Sequence, residues 1–128
     1  MASSTPGGGQ TNLGLAPNVA GLLCYVPCCI GFVFAVVAAI VEKQSRFVRF
    51  HAFQSLLLHG VMLIVWVGFI VGGGVLASVS GFFSLILLPV EILVGLAVLA
   101  LTIFLMIKAN GGEEYELPVI GPMARQWV

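Results

Sequence analysis

Three long apolar runs divide the chain, and polar residues collect between and after them. The runs cover about residues 19–41, 55–77 and 85–107. A transmembrane helix needs about 20 mainly apolar residues to cross roughly 30 Å of hydrocarbon. Each run meets this length, so the pattern predicts an all-α integral membrane protein whose transmembrane domain, residues 17–108, contains three spanning helices.

Local signals predict where the helices begin and end. Pro17 suits the first turn of the first helix, because its missing N–H would have no helical partner there. The third helix is expected to close at Lys108, with Gly111 and Gly112 as stops. The short link SVSGFFS predicts that the second and third helices form an antiparallel hairpin. Residues 1–16 are rich in Gly, Ser and Thr and are expected to form a mobile tail.

The approach to the second run, RFVRFHAFQS, is amphipathic and predicts an interfacial start of the helix. Residues 109–128 are expected to form a short tail that turns back along the membrane surface, with glutamates that pair with Arg46 and Arg49. The basic residues serve either as an orientation anchor or in binding an anionic lipid or a partner. The residues predicted to contact lipid or a partner are Arg46, Arg49, His51, Gln54, Glu113, Glu114 and Glu116.

Composition and charge agree with a membrane location. The chain is 60% hydrophobic and 8% charged, whereas soluble domains are about 25% charged. A net charge of zero and the lack of a basic run give no indication of nucleic-acid binding. In a three-span topology, Lys and Arg fall only on the side of the 42–54 loop and the carboxyl tail. Because positive residues are retained in the cytoplasm, we expect the amino terminus outside and the carboxyl terminus in the cytoplasm.

Small residues indicate helix contact faces. Gly31, Ala35 and Ala39 follow four-residue steps on the first predicted helix, and Gly68 and Gly72 form a GxxxG pattern on the second. Membrane helices associate where small residues let their backbones approach closely. The faces suit packing within one chain or contact with a partner or a second copy.

Glu91 is an acidic residue well inside the third run, and an intramembrane carboxylate is a functional candidate by default. Tyr25 lies at a similar predicted depth, so its hydroxyl is expected within reach of Glu91, and Trp66 is placed in the same layer. Two interpretations stay open. Glu91 serves a proton or cation relay, or it makes a hydrogen bond in helix packing or to a partner subunit.

His59 and the cysteines are the remaining candidates for chemistry. His59 shares a helix face with His51 and Ser55, and a neutral imidazole there can ligate a metal or a tetrapyrrole. It lacks a second ligand at a recognisable spacing, so it is a weak cofactor candidate. Cys24 and Cys28 can bind a soft metal as thiolates, but in hydrocarbon they behave as small apolar thiols. The chain carries no catalytic motif, and we expect no enzyme activity, no cofactor and no metal.

Three segments carry a resemblance to a known family: NVAGLLCYVP, VRFHAFQS and KANGGEEYELPVIGPMA. Over Leu13 to Ala124 the chain resembles small bacterial membrane proteins of unknown function, grouped with the inner-envelope component of the chloroplast protein-import (Tic) translocon. The resemblance implies a multi-pass protein of the bacterial inner membrane, near protein translocation or in a larger assembly. The chloroplast component has four spans where three fit here, Cys28 and Cys29 depart from the usual apolar residues, and Glu91 lies outside the motif. The resemblance transfers no catalytic residue.

We therefore expect a non-enzymatic accessory subunit or assembly factor that contacts lipid and other membrane subunits. The alternative is a small transporter or channel-forming homo-oligomer that uses Glu91 and His59 as polar stations. A more distant alternative is a subunit that contacts a pigment or haem through His59.

Overall fold

The computed structural model describes residues 11–128, which form five α-helices. The predicted tail therefore lies partly outside the described residues, as far as position 10. The helices are α1 (Pro17–Leu23), α2 (Cys29–Val41), α3 (Arg46–Val79), α4 (Phe82–Asn110) and α5 (Ile120–Arg125).

Helices α3 and α4 contain the second and third predicted spans. They are 34 and 29 residues long, about 51 and 44 Å at 1.5 Å per residue. Both are long and apolar enough to cross a membrane. Only Ser80 and Gly81 separate them, and they form the predicted hairpin. Ser45 caps α3 by accepting a hydrogen bond from the Val48 N–H, so the amphipathic approach is part of one continuous helix.

The first apolar run does not form the single continuous helix that the sequence predicted over residues 19–41. Helix α1 ends at Leu23, and α2 begins only at Cys29. Pro27 lies in the break, and Cys28 adopts a left-handed φ of 73°. Proline disfavours helical backbone at the residue before it. The 13 residues of α2 extend about 20 Å, which is too short for the hydrocarbon core.

Helices α1 and α2 form an amino-terminal hairpin that returns to the end where it started. The Asn12 N–H donates to Glu42 Oε2 over 2.8 Å, and the Lys43 N–H donates to Asn12 Oδ1 over 2.8 Å. Asn18 Nδ2 donates to the carbonyl of Asn110, the last residue of α4, over 3.2 Å. Residue 12 thus lies at the same end of the bundle as the α2–α3 loop and the end of α4. The sequence placed the amino and carboxyl ends on opposite sides, an arrangement that these contacts do not reproduce.

The packed core lies at this end, which we call the base. Tyr25, Phe50, Leu105, His51, Gln54, Glu42, Val48, Cys24 and Ser55 are its largest fully buried side chains. The outer halves of α3 and α4 are much more exposed than the base. Only 0% and 11% of the most apolar 18-residue windows of these two helices are buried. Such a continuous apolar surface must be covered by lipid or protein.

Candidate functional site: a buried polar cluster and an adjoining cavity

A cluster of buried polar side chains connects the amino-terminal hairpin, α3 and the carboxyl tail. Gln54 lies at its centre and is fully buried. Its Nε2 donates to the Tyr25 hydroxyl and to the Tyr115 carbonyl, each over 2.9 Å. Its Oε1 accepts from the Leu117 N–H over 3.0 Å. The Gln54 side chain therefore attaches both the hairpin turn and the carboxyl tail to α3.

His51 extends the cluster, and its hydrogen bonds determine its tautomer. The Tyr25 hydroxyl and His51 Nδ1 are 3.0 Å apart. Because the Tyr25 oxygen accepts from Gln54, its own hydrogen is free to be donated to Nδ1, which places the His51 proton on Nε2. That Nε2 is buried and makes no well-aligned hydrogen bond to the described residues, although the Glu113 backbone is close enough to act on the imidazole. The rings of Phe47 and Phe50 pack edge-on against the imidazole.

Ser55 connects the cluster to His59. The Ser55 hydroxyl donates to the Cys24 carbonyl over 2.5 Å, so its hydrogen is committed to the hairpin turn. His59 Nδ1 lies 2.8 Å from the Ser55 carbonyl and 3.3 Å from the Ser55 hydroxyl oxygen. A carbonyl can only accept, so Nδ1 carries the proton and donates it back to the helix. His59 Nε2 is then an acceptor on the outer edge of the ring.

A cavity of about 550 Å³ lies between the hairpin turn and the middle of α3 and α4. His59, Trp66 and Gly95 are part of its wall, together with Tyr25 and Cys28 of the hairpin. A Cβ on Gly95 would lie 4.0 Å from the Trp66 ring, an ordinary van der Waals distance, so Gly95 and the indole face each other across this part of the wall. The rest of the lining is mainly aliphatic: Val26, Pro27, Leu58, Met62, Leu63, Val98, Leu99 and Thr102.

Glu91 lies elsewhere, in a groove of about 390 Å³ between the outer parts of α3 and α4. Its Oε1 would be 3.9 Å from a Cβ on Gly73. Tyr25 does not reach Glu91 as predicted, because the broken hairpin places its hydroxyl on His51 and Gln54. Trp66 also lines the His59 cavity and not the Glu91 groove. The structure therefore does not bring the three predicted intramembrane polar residues together.

Glu42 is a functional residue of the fold that the sequence reasoning missed. Its carboxylate is fully buried and accepts hydrogen bonds from the N–H groups of Asn12, Gln44 and Ser45. These three backbone donors are thereby paired inside the protein. The signal lay in its position at the end of an apolar run, three residues before the Ser45 cap. The Glu42 contacts hold the chain around residue 12 to the α2–α3 loop.

The tail glutamates pair within the carboxyl-terminal region, so their predicted pairing with Arg46 and Arg49 is wrong. Glu113 bonds Lys108 over 2.8 Å, and Arg125 pairs with both Glu114 and Glu116. These carboxylates, Glu114 foremost, raise the pKa of Arg125.

The tail does fold back over the start of α3. Arg125 stacks on the Phe50 ring at 4.2 Å, and Arg49 donates to the Trp127 carbonyl over 3.1 Å. Arg46 is exposed. His51 and Gln54 are fully buried, so their predicted contact with lipid or a partner does not fit this structure.

The two small-residue stripes differ in how closely other parts of the chain pack against them. Gly31 packs so closely that a Cβ would come within 2.0 Å of the Val26 carbonyl oxygen. Ala35 is buried and Ala39 half-buried on the same helix. Gly68 and Gly72 have nothing within 4 Å of a Cβ position. The first stripe is an internal contact, whereas the GxxxG face of α3 is open.

The three cysteines are free, with Cys24 buried and Cys28 and Cys29 exposed. Cys24 follows the end of α1 and Cys28 precedes α2, so the two thiols suggested as soft-metal ligands do not share a face of one helix. Within residues 11–128, no group of three or more His, Cys, Asp or Glu side chains is placed to hold a metal ion.

Comparison with known proteins establishes the family. The model of the magnetosome magnetite crystal formation protein family, MamF/MmsF, matches residues 10–124. The chain belongs to the MamF/MmsF family. It is 39% identical over 121 residues to a UPF0132 membrane protein of Methanocaldococcus jannaschii, covering 93% of this chain and 94% of that protein. It is 32% identical over 111 residues to one of Archaeoglobus fulgidus, covering 87% and 94%. No solved structure matches the chain.

These relatives support part of the resemblance drawn from the sequence. They are membrane proteins of an uncharacterised family, as expected, and they match nearly the full length of the chain. Both organisms are archaea, so the expected bacterial origin has no support from them. The grouping with the Tic translocon stays a prediction.

Proposed function

We propose that this MamF/MmsF member is a non-enzymatic accessory subunit or assembly factor of a larger membrane protein complex. The observation that carries the proposal is the contrast between the base and the outer halves of α3 and α4. The base is held by buried polar contacts, while the most apolar windows of the two long helices are 0% and 11% buried. The molecule thus presents two long apolar arms from a separately stabilised base.

The open glycine face favours protein over lipid as the cover for one arm. Gly68 and Gly72 are one helical turn apart, with nothing within 4 Å of their Cβ positions. A glycine pair on an exposed membrane helix lets another helix approach to close backbone contact. The partner helix would lie along the middle and outer part of α3, away from the cluster around Gln54.

A gentle solubilisation experiment tests this role. We expect the wild-type protein from native membranes to migrate on native gels with other membrane proteins, and Gly68→Leu to release it as a smaller species. Gly74→Leu is the matched control, since Gly74 is equally open but lies on a different face of α3. Both variants should unfold at the wild-type temperature. If Gly68→Leu migrates as the wild type, or if Gly74→Leu is released to the same extent, the proposed face is wrong.

We also propose that the base faces the cytoplasm, with residue 11 and the carboxyl tail on that side. Lys43, Arg46, Arg49, Lys108 and Arg125 all belong to this end, and positive residues near spans are retained inside. This proposal replaces the expected outward amino terminus. In sealed cells, an impermeant thiol reagent should label Ser80→Cys in the α3–α4 link, and label Ala16→Cys and Gln126→Cys only after permeabilisation; all three positions are exposed. The native cysteines are replaced by alanine first. Labelling of Ala16→Cys in sealed cells would refute the orientation.

Transport by a homo-oligomer is the second candidate, because Glu91 has no hydrogen-bond partner among residues 11–128 and lies inside an apolar helix. The two stations proposed for it are far apart. Glu91 lies beside Gly73, 14 residues beyond His59 on α3, or about 21 Å along the axis. A purified complex that contains only this chain and leaks ions in liposomes would favour transport over the accessory role.

The family description names magnetite crystal formation in magnetosomes, and the sequence resemblance suggests translocation. Either process can use an accessory membrane subunit, so the proteins that co-migrate with this chain discriminate between them. Co-migration with translocation components would support a role in protein translocation.

A further inference from the structure

We propose that the cavity between the hairpin turn and α3/α4 binds a small, mainly apolar membrane molecule that carries an O–H donor, of the hydroquinone class. His59 Nε2 accepts the hydrogen bond from that hydroxyl. The proposal stands independently of the accessory role, because it rests on the cavity and on the hydrogen-bond network around His59.

The cavity is a product of the broken first helix. Because α1 ends at Leu23 and α2 begins at Cys29, the chain turns back beside the middle of α3 instead of continuing along it. The space left has a volume of about 550 Å³, within the usual range of about 300–1,000 Å³ for small-molecule sites. The Trp66 ring and Gly95 form the side remote from the base.

The His59 tautomer determines what the cavity recognises. The Ser55 hydroxyl donates to Cys24, so both Ser55 oxygens near His59 act as acceptors for the Nδ1 proton. The ring packs beside Phe32, with centroids 5.6 Å apart, and Nε2 is left with a lone pair on its outer edge. An acceptor among apolar walls is costly unless a donor reaches it. A bound molecule with a hydroxyl satisfies Nε2, whereas one with only carbonyl oxygens does not.

The depth of the site favours a neutral ring over a phospholipid headgroup. His59 lies four residues past Ser55, where the second apolar run begins, or about 6 Å along the helix axis. Charged groups within such an apolar segment are disfavoured. A hydroxylated ring fits beside Trp66, and an apolar tail can leave between the exposed outer parts of α3 and α4 into lipid.

Binding of a redox pair to the full chain in nanodiscs tests the proposal. The probes are decylubiquinol and decylubiquinone, which share a ring and a tail, although only the quinol has O–H donors. In a Trp127→Phe background, Trp66 is the sole tryptophan, and its fluorescence reports occupancy under anaerobic conditions. We expect the quinol to bind roughly five- to tenfold more tightly than the quinone, the ratio that one net hydrogen bond provides.

Two variants complete the test. His59→Phe should bind quinol and quinone with equal affinity, because the acceptor is lost while the ring volume is kept. Gly95→Leu should weaken both probes, because the new side chain enters the space beside Trp66. Circular dichroism and thermal unfolding of the unliganded variants check that each has folded.

Several results would overturn the proposal. These are equal quinol and quinone affinities in the wild type, a quinol preference that survives in folded His59→Phe, and no saturable binding of either probe. A haem absorption band in the purified protein that disappears in His59→Phe would assign His59 to a different ligand and would also overturn it.

Discussion

Replacing Gln54 by leucine should detach the carboxyl tail from α3 and destabilise the whole base. Leucine has a similar volume but can make none of the three hydrogen bonds of Gln54. The Tyr25 hydroxyl keeps His51 as its partner. The Leu117 N–H and the Tyr115 carbonyl lose theirs.

The magnitude follows from the burial of these groups. A buried group left unpaired costs about 1–3 kcal/mol, and each net hydrogen bond adds about 0.5–1.5 kcal/mol. Leu117 is only 6% exposed, whereas Tyr115 is 40% exposed, so water can reach the second group more easily than the first. We therefore expect a loss of about 2–4 kcal/mol in the free energy of unfolding.

Unfolding in mixed micelles, followed by circular dichroism, measures this loss. Gln126→Leu is the matched control, because Gln126 is exposed, and such surface changes stay within about 0.5 kcal/mol. A glutamate-specific protease gives a local readout, since Glu113, Glu114 and Glu116 lie in the segment that Gln54 holds. We expect faster cleavage in Gln54→Leu only. If both variants unfold alike and are cleaved at the wild-type rate, Gln54 does not hold the tail.

Two further substitutions probe the amino-terminal hairpin. Glu42→Gln should cost about 1.5–3 kcal/mol and speed amide exchange at Asn12, because one carboxylate oxygen becomes an N–H₂ group facing N–H donors. Glu113→Gln, at an exposed ion pair, should change unfolding by less than about 1 kcal/mol. Gly31→Ala should lower stability by about 3 kcal/mol or more, since its Cβ would lie 2.0 Å from a carbonyl oxygen of the hairpin turn. Gly68→Ala, with nothing within 4 Å, should leave the unfolding temperature unchanged, and equal effects of the two alanines would contradict the packing described.

The candidate site was only partly predictable. The four-residue spacing of His51, Ser55 and His59 indicated a common helix face, and all three do face the hairpin. Their partners could not be inferred, because Tyr25 and Cys24 reach them only through the break after α1. The same spacing logic failed for Tyr25 and Glu91, since depth along a helix is informative only when the helix is continuous.

The sequence by itself determined that α3 and α4 are long apolar helices, long enough to cross a membrane, joined by a tight link. That information is local, because the apolar length and the capping residues lie within each segment. Whether the first run forms one long helix or turns back as a hairpin was decided by the tertiary structure. The hydropathy of the run is the same in both cases. Pro27 permits a break in the helix without requiring one, since Pro89 lies inside the continuous helix α4. The hairpin is selected by contacts between distant residues, from Asn12 to Glu42 and from Cys24 to Ser55, which compensate the backbone groups that the break leaves unpaired.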